Sequence, residues 1–326
     1  MPLIDSFGRK VNYLRLSITD RCNLRCSYCM PSDGVAKLHH QDILSYEELF
    51  QIARAAVALG VEKIRVTGGE PLVRKGVVDF LRRLATLPGL RELALTTNGI
   101  LLEKMASELR QAGVSRLNIS LDSLQPETFA RITRLGDVQQ VVRGIEAAEA
   151  ASLPIKINMV VMRGVNDAEI TDFAALTLQR AHAVRFIEYM PAVPNPQTAS
   201  LAFPGAEILA RIGEHFRFEP IGKDRLAGPA KNYRIAGALG TLGIITPISN
   251  HFCGDCNRIR VTSTGRARSC LFSNHELDLR PLLQAGDAAG LRQALRACIS
   301  SKGDMHSVSW QESGALENFA MVAVGG

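Results

Sequence analysis

Apolar positions along this chain of 326 residues fall into two alternating rhythms. Short runs rich in Val, Ile, Leu or Thr, at 12–18, 63–69, 92–98, 116–122, 155–162 and 184–190, predict strands. Between them, segments 45–59, 75–87, 102–112, 137–151 and 167–181 carry apolar residues at helical spacing. Ser45 with Glu48 three residues on makes a capping box for the first of these, and Asp167 is a natural N-cap for the last. Gly60 and Gly113 stand where helices stop.

Strand and helix alternating six times predict a parallel sheet with crossover helices, an α/β fold. Six units are too few for a closed eight-unit barrel, which leaves a partial, three-quarter (β/α)6 TIM-like barrel or a doubly wound open sheet. Either way ligands bind at the C-terminal ends of the strands, and the unusual residues collect there. They are Asp20 to Cys29, then Gly68, Gly69, Glu70 and Pro71, then Thr96 to Gly99, Ser120 with Asp122, and Met190 with Pro191. Near residue 191 the pattern changes to a stretch rich in Pro, Ala and Ser, followed by Gly-rich β-like runs and a helix near 287–299. The reading is two regions, a partial barrel over 1–191 and a smaller C-terminal region over 192–326 closing its open side.

Composition narrows this further. With 46% hydrophobic and 21% charged residues the chain is an ordinary globular protein. No run of about 18 apolar residues predicts a membrane span. The opening MPLIDSFGRKVNYLRL has no apolar signal core, so a cytoplasmic location is expected. A net charge of +6 fits either arginines scattered over the surface or an anionic partner. The cluster RKGVVDFLRR reads as a solvated helix face, and no aromatic–basic interleaving suggests nucleic acid.

Seven cysteines carry the candidate chemistry. Three lie in SITDRCNLRCSYCM (Cys22, Cys26, Cys29) and three in FCGDCNRIRVTSTGRARSCLF (Cys253, Cys256, Cys270). Clustered thiolates in a reducing compartment point to metal rather than disulfides, and soft thiolates select zinc, copper(I) or iron–sulfur clusters. Three cysteines on a four-iron cluster leave one iron open for an exchangeable ligand; a zinc site would need a distant fourth ligand. By spacing alone the second trio suits zinc or iron–sulfur equally, with His251 or His275 able to complete it. Cys298, on a helix pattern, reads as a buried structural thiol.

The run CNLRCSYC after an opening strand, with GGEP at 68–71, resembles the radical S-adenosylmethionine (SAM) superfamily. That resemblance implies a three-quarter barrel and a 4Fe-4S cluster whose open iron is chelated by SAM, cleaved by one electron to a 5′-deoxyadenosyl radical. Within the superfamily, YLRLSITDRCN, RVTGGEPL, TTNG, NISLDSL, NMVVM, RFIEYMP, CGDCNRIRVT and the terminal Gly325–Gly326 resemble the GTP 3′,8-cyclase family of molybdenum cofactor (molybdopterin) biosynthesis, over almost the whole chain. The family implies a lyase that converts GTP to (8S)-3′,8-cyclo-7,8-dihydroguanosine 5′-triphosphate, with a second 4Fe-4S cluster on Cys253, Cys256 and Cys270 contacting guanine. It places GTP contacts on Arg15, Arg65, Thr96, Lys156, Arg258, Ile259 and Arg260. SAM contacts fall on Tyr28, Gly68, Gly69, Glu70, Ser120 and Met190, and Gly325 and Gly326 join Arg15, Arg258 and Arg260 in the active site.

Physical chemistry agrees with the arginines. Planar guanidiniums bind phosphate bidentately, and Arg258 and Arg260 alternate on an extended run, so both face one side. Gly68 and Gly69 would let backbone approach the SAM amino group, with Glu70 fixing that geometry. Glu188 is the candidate salt-bridge partner if a strand arginine is merely structural. Arg163 stands where the family commonly has lysine. Implied partners are GTP, a flavodoxin- or ferredoxin-type electron donor and a downstream cyclic pyranopterin synthase, with no nucleic acid and no membrane; a homodimer is left open. The rival readings are another radical SAM enzyme with an auxiliary cluster, such as a peptide maturase, and a zinc-stapled nucleic-acid-binding protein.

Overall fold

The structure, a computed structural model, describes residues 3–35, 38–190, 198–222, 224–273, 275–310 and 321. Its elements in chain order are β1 (Tyr13–Ser17), α1 (Tyr46–Ala58), β2 (Lys63–Thr67), α2 (Val77–Ala85), β3 (Glu92–Thr97), α3 (Leu102–Gln111), β4 (Arg116–Ser120), α4 (Pro126–Thr133) and α5 (Val138–Ala150). They continue with β5 (Ile155–Val161), α6 (Ile170–Gln179), β6 (Ala183–Glu188), α7 (Thr198–Leu201), α8 (Gly205–Gly213), β7 (Phe218–Ile221), β8 (Lys231–Ile235) and β9 (Thr241–Ile245). Last come β10 (Arg258–Val261), β11 (Arg266–Arg268), β12 (Leu277–Asp278), α9 (Arg280–Gln284) and α10 (Ala288–Ser300).

The six expected strands and the helices between them form as read. Ser45 and Glu48 make both halves of the capping box on α1, and Gly60 and Gly113 take left-handed φ of 105° and 86° just past α1 and α3. Two local expectations fail. Asp167 caps no helix: its carboxylate accepts from the Gly164 N–H (2.7 Å), and a 3₁₀ turn at Asp167–Glu169 precedes α6. α4 is an additional helix, started by Pro126 at its first turn, which fits the fixed proline φ and missing N–H.

One sheet of twelve strands organises the molecule, in the order β12-β11-β10-β1-β2-β3-β4-β5-β6-β9-β8-β7. The first region supplies β1 to β6, and the C-terminal region extends both edges: β10 runs parallel to β1, and β9 parallel to β6. The parallel array therefore grows to eight strands, β10, β1 to β6 and β9, flanked by antiparallel strands. The sheet is open: it ends on β12 and β7, so the eight parallel strands make a partial barrel and not a closed ring.

Side-chain alternation runs opposite to a filled barrel. Leu14 and Leu16, Ile64 and Val66, Leu117 and Ile119, Ile157 and Met159, and Ile259 and Val261 belong to one buried apolar core with the helices. The opposite face carries Arg15, Arg65, Arg116, Lys156, Arg185, Arg258 and Arg260. Register levels them: Arg15 lies opposite Arg260 on one side and Arg65 on the other, and Arg65 faces Ala94, which faces Arg116. A concave face lined with cations contributes nothing to an apolar core and is costly to bury, which marks it as the working face.

Candidate active site

The strand ends and the concave face enclose one cavity with about 1830 Å³ of empty space, mouth included. Both cysteine trios line it, as do Arg15, Arg65, Arg185, Arg258 and Arg260.

The first trio sits on the loop after β1. Cys29 N–H donates to Cys26 O (3.0 Å), making the turn that brings these two together. The loop hangs on the end of α4: Arg25 N–H donates to Thr133 O (3.0 Å) and Ser27 N–H to Ile132 O (2.9 Å). It is clipped from the other side by the 68–71 turn, through Gly69 N–H to Thr19 O and Glu70 N–H to Arg21 O, both 2.8 Å. This contact explains the glycines: a Cβ on Gly69 would lie 2.3 Å from Arg21 O, and one on Gly68 2.7 Å from Thr19 O. Both glycines also line the cavity, and their missing side chains admit the Cys-loop backbone.

Glu70 is likewise a brace. It is fully buried, and its carboxylate accepts from Leu72 N–H (3.0 Å), Thr97 Oγ1 (2.9 Å) and Asn98 N–H (2.7 Å), joining the ends of β2 and β3. Burial pushes it up to about 7 against those bonds. Tyr28 donates to Asp122 Oδ2 (2.7 Å), whose other oxygen accepts from Val160 N–H (2.8 Å). Burial foremost, then Asp122 and the neighbouring Cys29 and Cys22, pushes the Cys26 thiol well up. Thiols crowded away from water and facing carboxylates ionise when a metal supplies the positive charge.

The second trio lives in different electrostatics. Cys253 and Cys256 bracket a 3₁₀ turn at Cys253–Asp255, with Cys256 N–H donating to Cys253 O (3.1 Å). Burial would raise the Cys256 thiol, but the charges of Arg258 and Lys302 outweigh it and pull it down to about 6. Arg9, near the chain start, holds this loop by donating to Cys253 O (2.8 Å), Asp304 O (2.8 Å) and Gly303 O (2.7 Å). His251 lies beside Cys253, where their ligand atoms and that of His306 fall within 4.8 Å of one another; His275 is exposed and outside that group.

Between the trios the cations crowd one another. Burial and then repulsion from Arg260 and Arg65 push Arg15 well down; burial with Arg258 pushes Arg260 down. Lys156 is pushed down to about 6 by burial, then by Arg185, Arg116, Lys63 and Arg65. Tyr13 is pulled the other way for a phenol, down to about 8: burial opposes, but Arg65, Lys63, Arg15 and Arg258 prevail. Lys63 and Arg65 both sit over its ring, at 4.6 and 5.4 Å from the centroid. Such a face is stabilised by a polyanion.

Of the expected residues, Tyr28, Gly68, Gly69, Thr96, Ser120, Met190 and the arginines meet in the cavity. Lys156 lies on the same face of β5 but is not among the lining residues, and Ile259 points away into the core, so only its backbone can reach a ligand. Glu188 pairs with no strand arginine; it accepts from Gly205 N–H (2.7 Å), Ile248 N–H (3.1 Å) and Ser249 N–H (3.0 Å), fixing the segment after β9. Arg163 pairs with Glu207 (2.7 Å) away from the cavity. Cys298 is buried in the core, as expected, and pushed up to about 12 by burial. Gly325, Gly326 and Pro191 lie outside the described residues. Sequence reading missed Tyr13, Arg185, Lys302 and His306. Arg185 carried a signal, an arginine at an inward position of a strand; Lys302 and His306 lie far from either cysteine motif and carried none.

The Radical SAM superfamily profile matches residues 16–177, and Molybdenum Cofactor Synthesis C matches 182–308. A GTP 3′,8-cyclase of Geobacter sulfurreducens is 61% identical, with all of both chains covered. This chain belongs to the GTP 3′,8-cyclase family of the radical SAM superfamily. A second family member, from Moorella thermoacetica, is 46% identical over 99% of both chains. The fold is that of Streptococcus suis SuiB solved with S-adenosylmethionine, at TM-score 0.60 and 13% identity, covering 91% of this chain and 74% of that one. The cofactors are two 4Fe-4S clusters and S-adenosylmethionine, and two incomplete thiol trios on one cavity fit that set. Among the described residues no helix is long and apolar enough to cross a membrane.

Proposed function

We infer that the chain cyclises GTP to (8S)-3′,8-cyclo-7,8-dihydroguanosine 5′-triphosphate, the first step of molybdenum cofactor biosynthesis, and that it acts as a lyase. The observation that carries this is the level row Arg260, Arg15 and Arg65, set in one cavity between two cysteine trios.

Cys22, Cys26 and Cys29 would hold the first cluster, and Cys253, Cys256 and Cys270 the second. When bound, the first cluster and SAM would supply one-electron chemistry that removes the hydrogen at ribose C3′; C3′ then bonds to guanine C8 as the C8–N7 π bond opens, and one electron from the reductant with one proton completes the 7,8-dihydro product at N7. The chain's own residues position and shield. Arg15, Arg65, Arg258 and Arg260, with Lys156 and Arg185, hold the triphosphate, exchanging mutual repulsion for charge-assisted hydrogen bonds. The Thr96 hydroxyl, buried with no partner among the described residues, is a polar group available to the nucleotide. Ser120, Met190, Gly69 and the Tyr28 backbone line the SAM side, and the Tyr28–Asp122 bond fixes the loop carrying Cys26 and Cys29. Holding both ligands in one water-poor cavity supplies proximity and protects the radical.

A flavodoxin- or ferredoxin-type protein would deliver the electron, and a downstream cyclic pyranopterin synthase would take the product. The unit over 1–191 would then supply the SAM half of the site and 192–326 the substrate half. Anaerobic incubation of the two-cluster protein with SAM and dithionite, with and without GTP, tests the reading. Formation of 5′-deoxyadenosine that depends on GTP supports it; formation that is the same without GTP, or with a peptide in its place, overturns it.

A further inference from the structure

Lys302 follows the last turn of α10, its N–H donating to Ile299 O (3.1 Å). Its side chain does not reach solvent: the residue is only 4% exposed. The ammonium has three protons, and three acceptors receive them: Cys256 Sγ at 3.3 Å, Arg258 O at 3.1 Å and Ser269 O at 2.7 Å. Those acceptors belong to a cysteine of the second trio, to the substrate-facing strand β10, and to the residue preceding Cys270. One side chain thus ties together two of the three cysteines and the arginine strand.

A buried ammonium is costly unless a negative charge faces it. Among the described residues no carboxylate pairs with Lys302, so its counter-charge is the Cys256 sulfur. The first trio has mixed surroundings: an amide, Asn98 Nδ2, points at Cys22 Sγ (3.9 Å), the Arg25 charge acts on Cys22 against Glu70, and the Asp122 carboxylate lies toward Cys26. Around Cys256 the charges of Arg258 and Lys302 prevail.

We propose that Lys302 is a positioning residue of the second cluster: it fixes Cys256 and the Cys270 segment and, by its N–H···S contact and charge, raises that cluster's reduction potential. This rests on the reading that Cys253, Cys256 and Cys270 hold a 4Fe-4S cluster. Hydrogen bonds to cluster sulfurs and local charge are the levers by which a protein sets such potentials. A lysine held on three acceptors applies both without touching the open iron, so the second cluster is the easier of the two to keep reduced.

The test uses the full chain with Cys22, Cys26 and Cys29 replaced by alanine, so that only the second cluster is read. This parent should bind about four irons. Redox titration followed by electron paramagnetic resonance then compares it with Lys302→Met. At a fixed potential the ratio of reduced to oxidised cluster should fall about tenfold in the variant, a midpoint about 59 mV lower. An unchanged midpoint overturns the proposal. Where Lys302→Met binds no iron, Lys302→Gln, a neutral donor, decides: a lowered midpoint supports the role and the parental midpoint overturns it. Where neither neutral variant loads, reloading by Lys302→Arg supports it and failure to reload overturns it. A parent that binds no iron removes the cluster reading itself, a result distinct from any change at Lys302.

Discussion

Arg260 is buried beside other guanidiniums, opposite Arg15 in the sheet and on a strand that starts next to Cys256. Burial and the neighbouring Arg258 disfavour its charge, and an entering anion offsets both. Replacing it by alanine should therefore weaken GTP binding by about 1.5–3 kcal/mol, the range for a hydrogen bond to a charged group, while SAM binding survives. Equilibrium binding of each ligand separately checks this, and equal loss of both contradicts the assignment. Lys156 gives a second test at the same scale. Pushed down to about 6, it is mostly neutral at pH 8 in the free protein. A triphosphate nearby favours the charged form, so GTP binding at pH 8 should take up a proton, and affinity should rise as pH falls from 8 toward 6. Calorimetry in buffers of different ionisation enthalpy measures that uptake; Lys156→Met should reduce it, and no uptake by the unaltered protein would be inconsistent with Lys156 facing phosphate. These cations were legible in the sequence because a charged residue at an inward strand position is anomalous. Ile259 was not separable from its neighbours by motif; only alternation along β10 turns it into the core.

At the scale of elements, the catalytic loop is held by neighbours rather than by its own sequence. The 68–71 turn and the end of α4 clamp it from two sides, and Gly69 lies so close to Arg21 O that a methyl group would meet it at 2.3 Å. Gly69→Ala must move backbone, at the cost of about 1–3 kcal/mol usual for overpacking. The disturbance is local to the first trio. Iron content should fall from about eight per chain toward about four, with the second cluster's spectrum and the far-UV circular dichroism unchanged; full loading would show that the clamp is dispensable. The strands and five helices were readable because their apolar periodicities are long and clean. α4 was harder: at eight residues, inside a polar connection, it is too short to stand out, and its value lies in the two carbonyls it offers the Cys loop. Glu70 fixes local geometry, as the sequence suggested, though which groups it holds was not legible. Its three donors come from its own turn, from the end of β3 and from the residue after it, a long-range arrangement that no motif prints.

For the molecule as a whole, the two regions share one sheet. The C-terminal region adds a parallel strand to each edge of the six-strand core, and that is how Arg258 and Arg260 come to lie beside Arg15 although more than 240 residues separate them in the chain. The two β/α rhythms announced a partial barrel, but no local pattern reveals that β9 and β10 join opposite edges, because the pairing is long-range. Five arginines and one carboxylate, Asp122, line that cavity; buried charges are screened less than surface ones, so GTP binding should weaken only modestly with salt. The radical formed at the first trio would take its hydrogen from the ribose of GTP held at the second. Turnover of GTP carrying deuterium only at C3′ tests this most directly, by mass spectrometry of the 5′-deoxyadenosine released. 5′-Deoxyadenosine enriched in deuterium is expected; unlabelled 5′-deoxyadenosine formed in step with GTP consumption would rule out abstraction at C3′.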